Sequence, residues 1–295
     1  MTESAYLKRL LAKAAENLKT IVLPESEDDR VLDAAHFVAE AGAARPVILG
    51  SPETVEGYYR GKGWSMEGIE VISPENSPRL AAYAEMFFEL RKDKGVTAED
   101  ALKQMHNYNY FGTMMIKAGD ADGMVSGANH STADTVRPAL QIIKTKPGNK
   151  IVSSCFIMVR PSATGENEVL AMADCAINIK PTEDELVEIC KETVSCAKIF
   201  GVDPKVAFLS YSTLGSGKGE DVDKMRNACE KAKALMPDTP IGGEFQFDAA
   251  VSPVVAKTKH ITSSVGGHAN TFIFPDINAG NIGYKIAQRL GNFDA

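Results

Sequence analysis

Short, near-continuous apolar runs rich in Val and Ile recur along this chain, each bounded by Pro, Gly or Ser, and they alternate with stretches of helical periodicity. TIVLPE (20–25), RPVILGS (45–51) and GIEVISPE (68–75) are such runs. A strand that is apolar at every position has both faces covered, and a parallel sheet built from βαβ units supplies that cover. The pattern therefore predicts an α/β fold. Residues 30–41 have helix periodicity and Gly42 sits where a C-cap belongs, while Pro52 leads a further short helix.

From Ser77 to Ala118 the pattern is helical, broken at Gly95, with a second helix opened by Thr97 and acidic in its first turn at Glu99 and Asp100. DGMVSGA (122–128) reads as a strand, and 131–145 as a helix containing Arg137 and Pro138. KPGNK (146–150) is turn-rich, which places a domain boundary there: a first α/β domain over 1–146 and a second over 147–295. At 295 residues, about two domains are expected. In the second, KIVSSCFIMVRP and EVLAMADCAINIKP read as paired strands, and Thr182 caps a helix reaching Phe200. VAFLSYST is a strand followed by a helix over 220–235. PIGGEFQFDAAV is a strand entering a helix, and NTFIFPDINAG is the last strand before a helix over 281–290. Two such domains are expected to enclose a cleft at the carboxyl ends of their strands.

Net charge is −7, which argues against non-specific nucleic-acid binding. It leaves small anionic substrates open, because a few converging cations outweigh a mildly acidic exterior. The N-terminal MTESAYLKRLLAKAAENLKT reads as a charged amphipathic helix without a signal-peptide core, and no apolar run is long enough to span a membrane. The five cysteines form no CxxC pair and read as reduced packing residues of a cytoplasmic protein.

The most polar segment is SGANHSTADTVRP (126–138), lying after one expected strand and opening one expected helix. Two readings stay open for it. One is a plain N-cap, for which Ser and Thr are preferred. The other is an anion cradle: free backbone N–H groups, hydroxyls from Ser126, Ser131 and Thr132, close approach allowed by Gly127, and the planar fork of Arg137. Asn129 and His130 fall within the same stretch; a lone histidine reads first as structural, and no acidic partner can be assigned to it from sequence.

STLGSGKGED (212–221) fails as a phosphate-binding P-loop, since Ser212 stands at the first Gly position and Gly219 follows Lys218. Glu244 and Asp248 straddle a strand-to-helix junction, where an acid suits the helix dipole. No zinc-spaced Cys/His set, HExxH or nucleophile elbow is present, so no metal is expected.

LPESEDDRVLDAA, FFELRKDKGVTAEDA, ADGMVSGANHSTADTVRPALQIIKT, VAFLSYSTLGS, GEFQFDAA and NTFIFPDINAGNIGYKIAQRL stand in the order and spacing of the phosphate acetyltransferases, which this chain resembles over almost its whole length. The resemblance implies two open α/β domains of isocitrate/isopropylmalate dehydrogenase-like fold, an interdomain active-site cleft, and a homodimer. It implies reversible acetyl transfer between acetyl phosphate and coenzyme A, giving acetyl-CoA and phosphate. Coenzyme A enters as a substrate, with no permanently bound cofactor. Arg137 matches the family's phosphate- or acyl-binding arginine, with Ser131 beside it as a candidate catalytic residue. Arg91, Arg30 and Arg289 match arginines linked to coenzyme A or substrate.

The family continues past the position of Ala295 with a segment carrying a catalytic serine, an arginine and an aspartate base; the expectation is a truncated chain. Close alternatives are a phosphate butyryltransferase and a non-catalytic binder of coenzyme A or acyl phosphate.

Overall fold

The structure is a computed structural model, and it describes residues 5–161 and 167–295; the first four residues of the expected N-terminal helix lie outside them. The chain divides into two compact units, Tyr6–Lys144 and Thr145–Ala295.

The first unit runs α1 (Ala5–Ala15), β1 (Thr20–Leu23), α2 (Asp29–Glu40), β2 (Arg45–Leu49), α3 (Pro52–Lys62), β3 (Glu70–Ile72), α4 (Leu80–Arg91), α5 (Ala98–Gln104), α6 (Tyr108–Ala118), β4 (Gly123–Met124) and α7 (Thr132–Pro138). Its four strands are all parallel, in the order β3-β2-β1-β4. The apolar runs are explained by burial on both faces. Val22 and Val47 pack into one cluster with Phe87, Phe111 and Met114, while Leu23 and Ile48 pack into another with Leu32, Val55 and Tyr59. Adjacent strand residues point to opposite faces, so a strand covered on both sides needs an apolar residue at every position.

Three local differences from the sequence expectation have identifiable causes. The helical stretch to Ala118 is divided once more, because Asn107 accepts the N–H of Tyr110 and caps a new helix, α6. The helix expected over 131–145 is α-helical only to Pro138 and then widens into a π-turn over Ala139–Ile143. Proline contributes no N–H to the ladder, which is where such a register change is least costly. The strand expected over 122–128 pairs only at Gly123 and Met124, because from Gly127 onward its amides turn to another acceptor, described below.

The second unit runs β5 (Phe156–Pro161), β6 (Asn167–Ala173), α8 (Glu183–Ile199), β7 (Val206–Leu209), α9 (Glu220–Leu235), β8 (Ile241–Phe245), α10 (Phe247–Val251), α11 (Pro253–Thr258), β9 (Thr271–Ile273) and α12 (Ile277–Leu290). The sheet order is β5-β6-β9-β7-β8, parallel except for the β5–β6 pair. Beyond α12 the chain returns to the outer edge of β5, where Asp294 and Val159 exchange both backbone hydrogen bonds, at 2.7 and 2.8 Å. Among the described residues no helix is long and apolar enough to cross a membrane.

Candidate functional site

The loop after β4 is organised by a residue far away in sequence. Glu25 follows β1 and is 1% exposed. Its Oε2 accepts the N–H groups of Gly127 and Ala128, both at 2.9 Å, and its Oε1 accepts those of Asn129 and His130, both at 2.8 Å. The His130 ring adds Nδ1 to Oε1 at 2.8 Å. Burial by itself would push the Glu25 carboxyl up; the backbone amides and the His130 ring outweigh it and hold the group down at about 2. The loop is therefore a nest of backbone N–H groups, and the anion in it is the protein's own carboxylate. The reading of Gly127–His130 as free donors for a phosphate is corrected accordingly.

Two further details of that reading change. Gly127 is required by its backbone, with φ at +119°, and the space beside its Cα is open; close approach of a ligand is not what selects glycine there. Ser131 is the N-cap of α7 in a capping box: it accepts the N–H of Asp134 at 3.2 Å and donates its hydroxyl to Oδ2 of Asp134 at 2.7 Å. The cap alternative is thus realised, one residue past the nest.

Around this loop the structure assembles several sequence-predicted residues. Ser126 donates to Oδ1 of Asn109 at 2.8 Å and receives the Thr135 hydroxyl at 3.3 Å. Arg30 binds Asp28 through Nε and Nη2, at 3.0 and 2.6 Å, and also donates to the carbonyl of Ala128 at 3.1 Å, tying α2 to the loop. Asn129, Thr132 and Arg137 are exposed. Arg137 and Arg91 both act electrostatically on Tyr110, whose hydroxyl burial pushes up and the two guanidinium groups pull down. The Nε of Arg91 is buried with no hydrogen-bond partner among the described residues. Arg289 lies exposed in the last turn of α12, in the second unit.

The second unit repeats the device of a buried acid holding a loop. Asp174, at the end of β6, accepts the N–H groups of Ser154, Ala176, Ile177 and Asn178 and the Ser154 hydroxyl. Glu244 accepts the Gly215 N–H at 2.7 Å, the Ser212 hydroxyl at 3.0 Å and the Arg226 guanidinium at 3.1 Å. So STLGSGKGED is a loop folded around Glu244. Glu244 lies inside β8, and of the two acids proposed for a helix dipole only Asp248 sits in a first helical turn.

A cavity of about 610 Å³ in the same unit is lined by Leu170, Met172, Leu209, Phe274 and Phe293. Its one guanidinium, Arg160, is already bound to Glu168 at 2.7 Å, so it does not suit a polyanion. No metal-ligating cluster occurs among the described residues.

Glu25 is the loop-organising residue that sequence reasoning missed. It stands among Glu27, Asp28 and Asp29 in an acidic stretch that reads as a solvated helix start. The available signal was position: the first acid after a fully apolar strand, at the strand end where parallel sheets place their loops.

Comparisons with known proteins bear on the family and the fold. A phosphate acetyltransferase of Thermoanaerobacterium thermosaccharolyticum is 48% identical over 99% of this chain and 89% of its own length. The crystal structure of a phosphotransacetylase from Streptococcus pyogenes superposes with a TM-score of 0.91 at 50% identity, covering 100% of this chain and 88% of that one. A branched-chain phosphotransacylase from Enterococcus faecalis, at 17% identity and a TM-score of 0.63, shares the fold. The family model described as phosphate acetyl/butaryl transferase matches residues 5–295, and the chain belongs to that family.

Proposed function

We propose that this chain is a phosphate acetyltransferase, moving acetyl between acetyl phosphate and coenzyme A, and that the site is the surface formed by the 126–132 loop, Arg137, Arg91 and Arg30. The observation that carries the site assignment is the buried Nε of Arg91, which has no hydrogen-bond partner among the described residues, together with the charges of Arg91 and Arg137 that both act on Tyr110. A buried donor left unpaired costs about 1–3 kcal/mol, which an anionic ligand would recover. Acetyl phosphate and the coenzyme A phosphates are such anions, and arginine forks bind phosphate oxygens in pairs.

In this reading the loop contributes rigidity and side chains. Its amides are committed to Glu25, so the phosphate is held by Arg137, with Ser126, Asn129, His130 and Thr132 lining the approach. Ser131 serves the site through the cap it gives α7. Arg91 and Arg30 serve coenzyme A, and Arg289 is assigned to it on resemblance alone. Arg137 also supplies positive charge where the carbonyl oxygen and the departing phosphate gain negative charge, a stabilisation worth most in a preorganised site. The names of the relatives favour acetyl over butyryl as the acyl group. A cytoplasmic homodimer acting in acetate metabolism completes the reading by family resemblance; light scattering tests the assembly.

The test of the site is Arg137→Ala. The expected outcome is a fall in kcat/KM for acetyl phosphate of at least about tenfold, a loss of transition-state stabilisation above 1.4 kcal/mol. A value within about twofold of wild type overturns the assignment.

A further inference from the structure

We propose that Cys196 and Cys155 form a redox-sensitive dithiol: a hydroperoxide oxidises the Cys196 sulfur, and Cys155 closes a disulfide onto it. Both belong to the second unit, so the pair stands or falls separately from the acetyl-transfer site proposed above.

The five cysteines are free thiols, and the fold sorts them by access. Cys175, Cys190 and Cys229 are buried, whereas Cys155 and Cys196 stay partly exposed. Packing brings these two together. Cys155 immediately precedes β5, and residues two apart on a strand share a face. Cys155 and Ile157 both pack on a small cluster that contains Ala171 of β6 and Ala197 of α8. Cys196 is the neighbour of Ala197 and follows the buried Thr193 by three residues, which places it at the margin of the same helix face.

There the Cys155 thiol donates to the Cys196 sulfur, with the Phe156 carbonyl as its other acceptor at 3.9 Å. The bond from Cys155 holds the Cys196 thiol down at about 7, against the burial that would raise it. Cys155 is pushed up by the same contact and by its own burial, so it keeps its proton. The thiolate is the reactive form, and Cys196 supplies it at neutral pH. Cys190 of α8 and Cys229 of α9 provide the contrast. They meet in one core cluster, but both are sealed there and burial pushes both thiols up. Proximity without access or ionisation gives no reactive pair.

The chemistry balances. The Cys196 thiolate attacks one oxygen of the hydroperoxide, and the O–O bond breaks with its electron pair on the departing oxygen. That oxygen takes up a proton and leaves as water or an alcohol, and Cys196 is left as a sulfenic acid. The Cys155 sulfur then attacks the Cys196 sulfur. The S–S bond forms, the S–O bond breaks with its pair on oxygen, and water leaves with the proton from Cys155. The two thiols together lose two electrons and the hydroperoxide gains them.

The test treats the reduced whole chain with hydrogen peroxide, blocks the remaining thiols after denaturation and maps the peptides by mass. The expected result is one linked pair, Cys155 with Cys196, reversed by dithiothreitol, with Cys175, Cys190 and Cys229 recovered as blocked thiols. Two variants separate the roles. Cys155→Ser keeps a hydroxyl donor but removes the resolving thiol. Cys196 should then accumulate as a sulfenic acid captured by dimedone, and the pH midpoint of its alkylation by iodoacetamide should stay at about 7. Cys155→Ala removes the donor as well and should move that midpoint toward about 8.5. A chain that peroxide leaves without the Cys155–Cys196 link, a link between Cys190 and Cys229 instead, or a midpoint in Cys155→Ala equal to wild type each overturns the proposal.

Discussion

Replacing Glu25 by Gln keeps the side chain's shape and removes its charge, and the structure says what that costs. Folding lowers the Glu25 carboxyl from 4.5 to about 2, and each pH unit is worth about 1.4 kcal/mol, so the ionised group contributes about 3 kcal/mol. A count of bonds agrees. One of the two oxygens becomes an NH2, which faces two backbone N–H groups that formerly had an acceptor, either Gly127 and Ala128 or Asn129 and His130. Two partly buried donors left unpaired cost up to about 1–3 kcal/mol each.

The sign of the pH dependence follows from a folded value below the unfolded one. The contribution is fully present above 4.5 and is lost as pH falls through about 2. The stability gap between wild type and Glu25→Gln should therefore be about 3 kcal/mol or more at pH 7 and narrow steadily below pH 5. The probe is built in: Trp64 is the single tryptophan, stacked on His36 with ring centroids 4.2 Å apart in the first unit. Urea unfolding followed by Trp64 fluorescence reports on the unit that holds Glu25. A gap under about 1 kcal/mol at pH 7, or one that stays constant between about pH 6 and pH 3, refutes the reasoning.

Ser131→Ala removes a capping box and should lower the Trp64 transition by about 1 kcal/mol while leaving kcat within a few-fold; a loss of more than about 100-fold would place the hydroxyl in the chemistry instead. Glu244→Gln leaves Arg226, Gly215 and Ser212 short of a shared acceptor and should destabilise the second unit by about 2–4 kcal/mol. Far-UV circular dichroism should then show an early transition while the Trp64 midpoint is unchanged; a shift of the Trp64 midpoint by the same amount counts against the local role.

What the sequence revealed and what it withheld follow from the range of the interactions involved. Apolar runs such as IVL and PVIL declare strands covered on both faces, because successive residues there enter different buried environments, with Val22 on one side and Leu23 on the other. Caps were legible for the same reason: Thr97 and Ser131 find their partners three residues on. The end of β4 was not legible. Residues 125–128 look like a strand continuing, and what stops them is a carboxylate more than 100 residues earlier in the chain. The candidate site divides likewise. Its donors announce themselves as a cluster of small polar residues, whereas the acceptor that uses four of them is hidden among acids with ordinary reasons to be on a helix start.

A nest already filled by the protein changes how the site must work. Four free amides would suit a phosphate, but an empty nest on a loop this rich in Gly, Ala and Ser would be ordered only when substrate arrived, at the expense of binding energy. With Glu25 in place the loop is ordered beforehand, and its backbone donors face inward. The interior anion also cancels the loop's local positive potential, so in the proposed site discrimination rests on the guanidinium groups, whose forks are geometrically selective for phosphate oxygens. The same carboxylate that takes the amides out of substrate binding holds the His130 ring by Nδ1. One buried acid thus both orders the loop backbone and fixes the His130 ring against it. For that reason Glu25→Gln should lower kcat/KM for acetyl phosphate by disordering the loop beside the proposed site; a Glu25→Gln enzyme with wild-type kcat/KM would refute that link.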